Sequence, residues 1–193
     1  MKGNYSIIDL NQDSQEWKKW RHNGITATDA PIIMGENPWK STSELLSKKI
    51  NPPKDDFIND AMRRGMELEP IARKLYNDKH NQNVRPVCLQ SNTYEWLKAS
   101  LDGLSIDRNS VVEIKCGESV YKSVNNFRKV PDYYYGQLQH VLAITGLQSI
   151  DFFCYLPEKP SLLLRVDSNP SYISKLIDEE FKFWKRIQQE KQY

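Results

Sequence analysis

Apolar residues recur every three to four positions in several parts of the chain, and this spacing predicts helices with one buried side. The longest such segment runs from 56 to 80, with apolar residues at Leu68, Ile71, Ala72, Leu75 and Tyr76. Pro70 interrupts it, and a helix tolerates this proline near the first turn of the segment's second half. Shorter helices are predicted over 13–23, 29–35, 43–50 and 131–146, with a last one after Asn169-Pro170.

Polar residues that cap helices support several of these boundaries. The spacing of a capping box occurs at Asp13 with Glu16 and at Ser41 with Glu44. Thr26 or Thr28 is expected to cap the short second helix, because a hydroxyl at that position accepts hydrogen bonds from free backbone N–H groups. Gly146 is predicted to end the helix that precedes it.

Short runs rich in β-branched and aromatic residues predict strands in the middle of the chain and near its end. These strands cover 84–90, 94–106, 111–116, 149–156 and 161–167. The turn Pro-Glu-Lys-Pro joins the last two into a hairpin, and 117–131 is interpreted as a loop or an irregular helix. The order of helices, sheet, helix, strands and helix indicates an α/β sandwich around a mixed sheet, with the strand order left open.

Length and charge limit the classes of protein that fit. The 193 residues are 39% hydrophobic, which fits a single domain over 1–193, with a helical part over 1–80 and a sheet with further helices over 84–193. The 27 basic and 25 acidic residues leave a net charge of +2. Overall charge therefore does not predict a protein that coats nucleic acid, and any such contact must come from local clusters.

Hydropathy and cysteine spacing narrow these classes further. No apolar run reaches the roughly 18 residues that span a bilayer, and the first residues lack an apolar signal core, so a soluble intracellular protein is expected. Cys88, Cys116 and Cys154 are far apart and form no Cys-x-x-Cys pair. Buried or half-buried thiols are therefore expected, rather than disulfides, a zinc site or a four-cysteine iron–sulfur cluster.

Candidate chemistry is concentrated in the predicted hairpin Ser-Leu-Asp-Gly-Leu-Ser-Ile-Asp-Arg-Asn-Ser-Val-Val-Glu-Ile-Lys-Cys. Side chains alternate along a strand, so Glu113 and Lys115 share the face opposite the apolar one. With a four-residue loop over 107–110, Ile106 pairs with Val111, and Asp102 lies opposite Lys115 and diagonal to Glu113 on the same face. A one-residue slip would move Asp102 to the other face. Gly103 is a candidate for a bulge that re-aims Asp102.

Two carboxylates at diagonal sheet positions, about 7–8 Å apart at Cα, are close enough to hold one divalent ion between them. Such a pair suits Mg²⁺ or Mn²⁺, which keeps several waters and meets a substrate phosphate. Lys115 beside them can orient or activate a water, or stabilise the charge that develops at phosphorus. The alternative is an exposed strand face with an Asp–Lys pair that contributes little to stability.

Residues before and after the hairpin add to the candidate site. Glu67 or Glu69 in the preceding helix can supply a third carboxylate, although a solvated helix face is the ordinary explanation for either. Gln137 and His140 have helical spacing in the helix after the hairpin, and His140 is interpreted as structural.

Taken in order, Glu69, Asp102-Gly103, Glu113-Ile114-Lys115 and Gln137 resemble the PD-(D/E)XK nuclease pattern. The chain more specifically resembles the phage lambda exonuclease family, the YqaJ-type viral recombinases, over most of 16–146. The matching stretches include Met-Arg-Arg-Gly-Met-Glu-Leu-Glu-Pro, Lys-Ala-Ser-Leu-Asp-Gly and Val-Val-Glu-Ile-Lys-Cys. The resemblance implies a restriction-endonuclease-like core with a central mixed sheet flanked by helices. Leu101 stands where the pattern's name has proline, a position that shapes the turn and carries no chemistry.

The resemblance assigns roles to individual residues. It implies that Asp102, Glu113 and Glu69 hold the metal, Mg²⁺ with Mn²⁺ as a substitute, and that the Ile114 carbonyl is a further ligand. It implies that Lys115 attends the attacking water. Beside this metal site, Gln137 matches the glutamine that orders the site in the family.

The resemblance also implies a pocket for a terminal 5′-phosphate at Arg21 and Thr28, with Ser100 as a weaker candidate. Arg21 offers a planar fork suited to phosphate, and Thr28 is expected at a helix N-terminus that favours anions. Taken alone, Arg21 fits an exposed helix arginine and Thr28 an ordinary N-cap.

The function implied by the resemblance is a Mg²⁺-dependent exodeoxyribonuclease that digests linear duplex DNA from 5′ to 3′ and leaves 3′ single strands for recombination by strand annealing. It further implies DNA ends and a single-strand annealing protein as partners, a homo-oligomer such as a trimeric ring, no membrane, and the cytoplasm of a phage- or virus-infected cell. The alternatives are a Cas4-like or RecB-like nuclease of other polarity, and a DNA-end binding module without catalysis.

Aromatic and basic residues alternate in 16–21 and 121–129, a pattern that suits contact with a DNA backbone or with unpaired bases. For Trp17 and Trp20 in the first of these segments, the preferred interpretation is core packing with lysines on the solvated side of the helix.

Overall fold

The computed structural model describes residues 3–53 and 59–191. Its helices are Gln15–His22 (α1), Ala30–Ile33 (α2), Thr42–Ile50 (α3), Asp60–His80 (α4), Glu118–Phe127 (α5), Asp132–Thr145 (α6) and Pro170–Glu190 (α7). Its strands are Tyr5–Ile8 (β1), Ile25–Thr26 (β2), Val84–Ser91 (β3), Leu97–Ser105 (β4), Val111–Lys115 (β5), Ser149–Cys154 (β6) and Leu162–Asp167 (β7). The predicted start of the fourth helix at 56–58 lies outside the described residues.

The strands form one mixed sheet, which the sequence predicted. Among the described residues the order is β1-β3-β4-β5-β6-β7, and β2 pairs with β4 beside this path. The pairs β5–β6 and β2–β4 are parallel and the others are antiparallel. The part before residue 80 was expected to be helical, and it also contributes β1 and β2 to the sheet.

Helices cover both faces of this sheet. On one face, a large apolar cluster joins strands to α6 and α7, including Leu104, Phe152, Leu138 and Ile187. On the other face, a smaller cluster joins strands to α4 through Ile114, Phe153, Ala72 and Tyr76. In β5 the side chains of Val112 and Ile114 pack towards α4, which leaves the alternate face for Glu113 and Lys115.

The structure corrects two of the predicted helix starts. Asp13 adopts a positive φ of 69°, and Ser14 is the cap of α1, accepting a hydrogen bond from the Trp17 N–H at 3.1 Å. Neither threonine caps α2, because Asp29 occupies the cap position. The capping box at the start of α3 is confirmed.

One further segment differs from its predicted secondary structure. The segment 117–131, interpreted as a loop or irregular helix, contains the regular helix α5. The long helix α4 continues through Pro70, α6 ends at Gly146 with a positive φ of 65°, and β6 and β7 form the predicted hairpin.

The hairpin of β4 and β5 has a different register from the predicted one. Val111 pairs with Leu104 instead of Ile106. Continuing this register brings Asp102 opposite Glu113, where the sequence predicted Lys115. Alternation does not carry this register through to Asp102, because a bulge interrupts β4 there: Leu101 and Leu104, three residues apart, both pack in the large apolar cluster. Asp102 instead reaches β5 in the plane of the sheet, where its carboxylate accepts from the Ile114 N–H.

A bulge lies in β4 next to this site. Arg85 of β3 pairs with Leu104, but Val87 pairs with Leu101, so Asp102 and Gly103 together lie opposite Pro86. Proline has no N–H to donate to a neighbouring strand, and a bulge bends the strand that contains the extra residue. This irregularity agrees with the bulge predicted at Gly103.

Gly103→Ala is expected to lower the free energy of unfolding by about 1–3 kcal/mol through overpacking. A Cβ atom at this position would lie 2.6 Å from Val84 Cγ2 and 2.7 Å from Val112 Cγ1. Urea unfolding measures the change. Gly65→Ala is the matched control, since nothing lies within 4 Å of that Cβ and alanine suits a helix interior better than glycine by about 0.5–1 kcal/mol. Equal unfolding midpoints for the two variants would contradict the packing argument.

The structure also reports on membrane spans and thiols. Within 3–53 and 59–191, no helix is both long enough and apolar enough to cross a membrane. Cys88, Cys116 and Cys154 are buried free thiols, and this confirms the prediction of buried thiols.

Candidate active site

The carboxylates predicted to hold a metal meet where β4 and β5 run side by side. Asp102 is half-buried, and its Oδ2 accepts a hydrogen bond from the Ile114 N–H at 2.7 Å. Glu113 is buried, with 3% of its surface exposed. The Asp102 carboxylate thus replaces a backbone carbonyl as the acceptor for β5, because the bulge turns the side chain towards the β5 backbone.

Lys115 and Gln137 surround the Glu113 carboxylate. Lys115 Nζ donates to Glu113 Oε1 at 2.6 Å and lies 4.6 Å from the centre of the Tyr134 ring. Gln137 on α6 donates to the same Oε1 through its amide nitrogen. Two donors from two elements therefore fix the orientation of a buried carboxylate.

Glu69 reaches the site from α4. Its carboxylate pairs with Arg73 one turn later, and Arg73 Nε donates to the backbone oxygen of Asp102 at 2.6 Å. Arg73 thereby links α4 to the bulge of β4. Glu67 is exposed on the same helix, so Glu69 is the acid that the structure places at the site.

The three carboxylates interact electrostatically. Burial is the main reason why the pKa of Asp102 lies well above its usual value, and the charges of Glu113 and Glu69 add to this effect. Burial also raises the pKa of Glu69, against the opposing influence of Arg73. The accumulation of negative charge in a half-buried place favours a bound cation.

The pKa of Lys115 is raised. Burial acts to lower it, but Glu113, Tyr134 and Asp102 outweigh burial. With its pKa raised, Lys115 is an ammonium at neutral pH. It therefore donates hydrogen bonds and supplies positive charge.

The donor set suits a hard divalent cation, since carboxylate and carbonyl oxygens are the ligands that Mg²⁺ prefers. In the part of the chain that the structure describes, no three His, Cys, Asp or Glu side chains are already arranged around a common metal position. Each carboxylate is turned towards a donor of the protein instead, Glu113 towards Lys115 and Glu69 towards Arg73. Metal binding at this place would exchange these partners for the ion.

The three predicted phosphate-binding residues also come together. Arg21 of α1 donates to Thr28 Oγ1 at 2.9 Å, and its guanidinium lies 4.5 Å from the Trp17 ring centre. Trp17 Nε1 donates to Ser100 Oγ at 2.8 Å. Trp17 therefore connects the arginine and threonine to the serine on β4.

Buried polar groups hold the backbone around the cluster of Arg21, Thr28 and Ser100, called here the Arg21 cluster. Asp29 Oδ2 accepts from the Thr26 hydroxyl and from Lys49 Nζ, each at 2.8 Å. Lys49 also donates to the backbone oxygens of Arg21 and Gly24. These contacts satisfy carbonyls at the end of α1 and hold the backbone on both sides of the candidate phosphate site.

The carboxylates and the phosphate cluster adjoin on β4. Ser100 and Asp102 are two residues apart on one strand, a separation of about 7 Å along it. The side chains of residues two apart point to the same face. One strand thus presents the hydroxyl that contacts Trp17 and the carboxylate that contacts Ile114.

Family membership follows from comparison with known proteins. Residues 16–148 match the family model of the YqaJ-like viral recombinase domain. The chain belongs to this family. The matched range contains the phosphate cluster, the three carboxylates, Lys115 and Gln137.

Two curated relatives of this YqaJ-like chain are longer proteins. The protein YqaJ of Bacillus subtilis (strain 168) is 25% identical over 174 residues, which cover 88% of this chain and 54% of that protein. The protein R354 of Acanthamoeba polyphaga mimivirus is 28% identical over 182 residues, which cover 85% of this chain and 33% of that protein. The chain therefore spans about half of one relative and a third of the other.

Solved structures confirm the predicted fold. The crystal structure of an alkaline exonuclease, LHK-Exo, from Laribacter hongkongensis matches with a TM-score of 0.83 at 27% identity, covering 93% of this chain and 95% of that one. A structure of LHK-Exo in complex with dAMP matches equally well, at 26% identity. A phage related exonuclease from Haemophilus somnus 129PT shares the fold, with a TM-score of 0.60 at 13% identity, covering 87% and 93% of the two chains.

In the YqaJ-like chain, Arg73 lies at the site although the sequence analysis did not name it, and two tryptophans interpreted as core residues make polar contacts. Arg73 follows Glu69 by four residues, a spacing at which helix side chains meet, so this pair was accessible to prediction. Trp17 is half-buried, with its indole N–H on Ser100, and Trp20 is half-buried with its N–H on Gln90. Both therefore lie at the margin of the core rather than inside it.

His140 is structural, as the sequence predicted. Its ring nitrogens lie 2.7 Å from Glu180 Oε1 and 2.9 Å from the Lys98 backbone oxygen, fully buried between α6, α7 and β4.

Proposed function

We propose that this chain is a divalent-metal-dependent deoxyribonuclease, and specifically a 5′ to 3′ exonuclease on linear duplex DNA. The observation that carries the proposal is the convergence of Asp102, Glu113 and Lys115 where β4 and β5 run side by side, with the cluster of Arg21, Thr28 and Ser100 adjoining it on β4. The similarity to LHK-Exo, an alkaline exonuclease with one structure in complex with dAMP, supports the same chemistry.

Asp102 and Glu113 would hold Mg²⁺, or Mn²⁺ in its place, with Glu69 and the Ile114 carbonyl as further ligands. When bound, such an ion supplies a hydroxide at neutral pH and neutralises charge on the phosphate oxygens. Burial raises the pKa of Asp102, and the charges of Glu113 and Glu69 add to this effect; the accumulated negative charge is the electrostatic reason for a cation at this place.

The chain's own residues position the reactants. Lys115, held by Glu113 and Tyr134, can donate a hydrogen bond to the water or to the phosphate oxygen on which charge develops. Gln137 keeps the Glu113 carboxylate in one orientation. Arg73 performs the same task for Glu69.

The Arg21 cluster would bind the terminal 5′-phosphate. The guanidinium supplies paired donors and a fixed positive charge. The predicted contribution of a helix N-terminus is small, because Thr28 precedes a helix of four residues whose cap, Asp29, carries negative charge. Electrostatic attraction of the 5′-phosphate therefore depends on Arg21, and the hydroxyls of Thr28 and Ser100 orient the phosphate.

The wider biological role is part of the same proposal. The products would be 5′-mononucleotides and a 3′ single strand, used for recombination by strand annealing with a single-strand annealing protein. The active species would be a homo-oligomer such as a trimeric ring, working inside a phage- or virus-infected cell.

Arg21→Ala is expected to remove the preference for 5′-phosphorylated ends. Wild-type protein should digest a phosphorylated end-labelled duplex at least about 10-fold faster than a 5′-hydroxyl duplex, because a charge-assisted contact of about 1.5–3 kcal/mol is lost without the phosphate. The variant should digest both at the slower rate. Time courses with each strand labelled in turn measure both preference and polarity. Digestion from the 3′ end, or an unchanged preference in the variant, would refute this part of the proposal.

A further inference from the structure

Trp39 is exposed although tryptophan is a costly residue to leave in water. It lies in the loop between α2 and α3, and 68% of its surface is exposed. The loop holds it in one place, because Asn37 Oδ1 accepts hydrogen bonds from the N–H groups of Trp39 and Lys40, both at 2.9 Å. Such a side chain-to-backbone turn is ordered without any core contact.

A row of aromatic rings connects Trp39 to the candidate active site. The Trp39 ring meets the Tyr133 ring edge-on at 4.7 Å, and Tyr133 lies 4.6 Å from Tyr134. Tyr134 in turn lies under the Lys115 ammonium at 4.6 Å. Three contacts therefore connect the exposed Trp39 to Lys115, the residue proposed to act on the phosphate.

The chemistry of this surface suits a nucleobase. Unpaired bases stack on aromatic side chains without regard to sequence, and a neighbouring lysine such as the exposed Lys40 attracts the phosphate backbone. A stable protein interface buries about 800 Å² on each partner, far more than one indole and one phenol offer. An indole ring is of a size to stack on a single base.

We propose that Trp39, supported edge-on by Tyr133, is a stacking platform for one unpaired base of the DNA strand whose phosphate lies at Lys115. This inference rests on the proposed nuclease function. Stacking at the platform holds the strand end open and fixes the distance of the next phosphate from the carboxylates. The platform therefore acts on binding and positioning, and Trp39 makes no contact with the reacting atoms.

Trp39→Ala is expected to weaken binding of a single-stranded oligodeoxynucleotide of about 12 residues by roughly 5- to 150-fold, the range for loss of one stacked base. Fluorescence anisotropy in Ca²⁺ measures the dissociation constant. Trp39→Phe should retain most of the affinity, since it keeps an aromatic face. Phe181→Ala is the matched control: Phe181 is 40% exposed with Lys185 Nζ 4.4 Å from its ring centre, on α7. That variant should bind like wild type.

An abasic scan locates the base that stacks. One abasic nucleotide is placed at each position of the oligonucleotide in turn, and wild type and Trp39→Ala are compared. We expect one position at which the abasic site weakens binding to wild type but not to the variant, because the variant has already lost that contact. Equal losses in both proteins at every position, or equal affinity of wild type and Trp39→Ala for the intact oligonucleotide, would overturn the platform.

A digestion assay beside the binding assay distinguishes failure of the stacking proposal from failure of the nuclease proposal. Wild-type digestion of duplex DNA in Mg²⁺ is measured beside the binding assay. Digestion together with unchanged binding by Trp39→Ala would overturn the platform and leave the nuclease standing. Absence of digestion, with the position-specific loss of binding, would overturn the nuclease and leave a base-stacking site on a DNA-end binding module.

Discussion

Lys115→Ala is expected to slow metal-dependent hydrolysis of linear duplex DNA by about 10²–10⁴-fold, the range for loss of a positioned proton donor or of an electrostatic contact to the transition state. Lys115 is the ammonium that Glu113 and the Tyr134 ring hold at the carboxylates. Release of acid-soluble nucleotides under single-turnover conditions measures the effect on the chemical step.

Two comparisons make the Lys115 result interpretable. The substitution leaves the buried Glu113 without its ion-pair partner and lowers stability, so melting curves must show folded protein at the assay temperature. Lys74→Ala removes an exposed lysine, paired with Asp78 on α4, and should retain wild-type activity. A folded Lys115→Ala protein with activity within about threefold of wild type would remove Lys115 from the proposed chemistry.

Asp102→Asn is expected to reverse the order of melting temperatures between EDTA and Mn²⁺. A carboxyl with a raised folded-state pKa contributes stability below its unfolded pKa and loses it as pH rises through the folded pKa. At pH values above the unfolded pKa the Asp102 carboxyl therefore opposes folding, and a neutral amide removes this cost and raises the melting temperature by about 2–4 °C for each kcal/mol. In EDTA the variant should melt above wild type.

Mn²⁺ at about 100 times its dissociation constant should raise the melting temperature of wild type by roughly 5–10 °C. It should have little effect on Asp102→Asn, which also loses DNA hydrolysis by at least about 10²-fold. Asp78→Asn is the control, because Asp78 is a carboxylate in an exposed pair on α4. An equal response of wild type and Asp102→Asn to Mn²⁺ would place the metal elsewhere.

The two faces of β5 could be predicted from the sequence, but the register of the β4–β5 hairpin could not. Alternation of apolar and polar residues placed Glu113 and Lys115 on one face of β5, but it does not hold at Asp102, because the bulge in β4 interrupts it there. The loop length that sets the register depends on local contacts. Here Ser105 Oγ accepts from the N–H groups of Asn109 and Ser110 and lengthens the turn at the strand end.

Contacts between elements distant in the sequence could not be predicted from sequence patterns. Helix spacing could have indicated the pair Glu69–Arg73, but not the bond from Arg73 to the Asp102 backbone. The contact of Trp17 with Ser100 likewise joins elements more than eighty residues apart. These contacts depend on how α1 and α4 pack on the sheet, and no local pattern records this packing.

The short strands before residue 80 were missed for a related reason. β1 has only four residues, and its exposed Ser6 and Ile7 give no clear alternation. β2 has two residues and exists because β4 pairs with it. Tertiary pairing, rather than intrinsic preference, decides such short strands.

Release of nucleotides from linear duplex DNA by wild type and Asp102→Asn, in Mg²⁺ and in EDTA, decides whether the carboxylates form a metal-dependent nuclease site. We expect release by wild type in Mg²⁺, none in EDTA, and a loss of at least about 10²-fold in the variant. Release that persists in EDTA or in the variant, or no hydrolysis of any DNA by wild type in Mg²⁺ or Mn²⁺, would contradict a metal-dependent nuclease site at Asp102, Glu113 and Lys115.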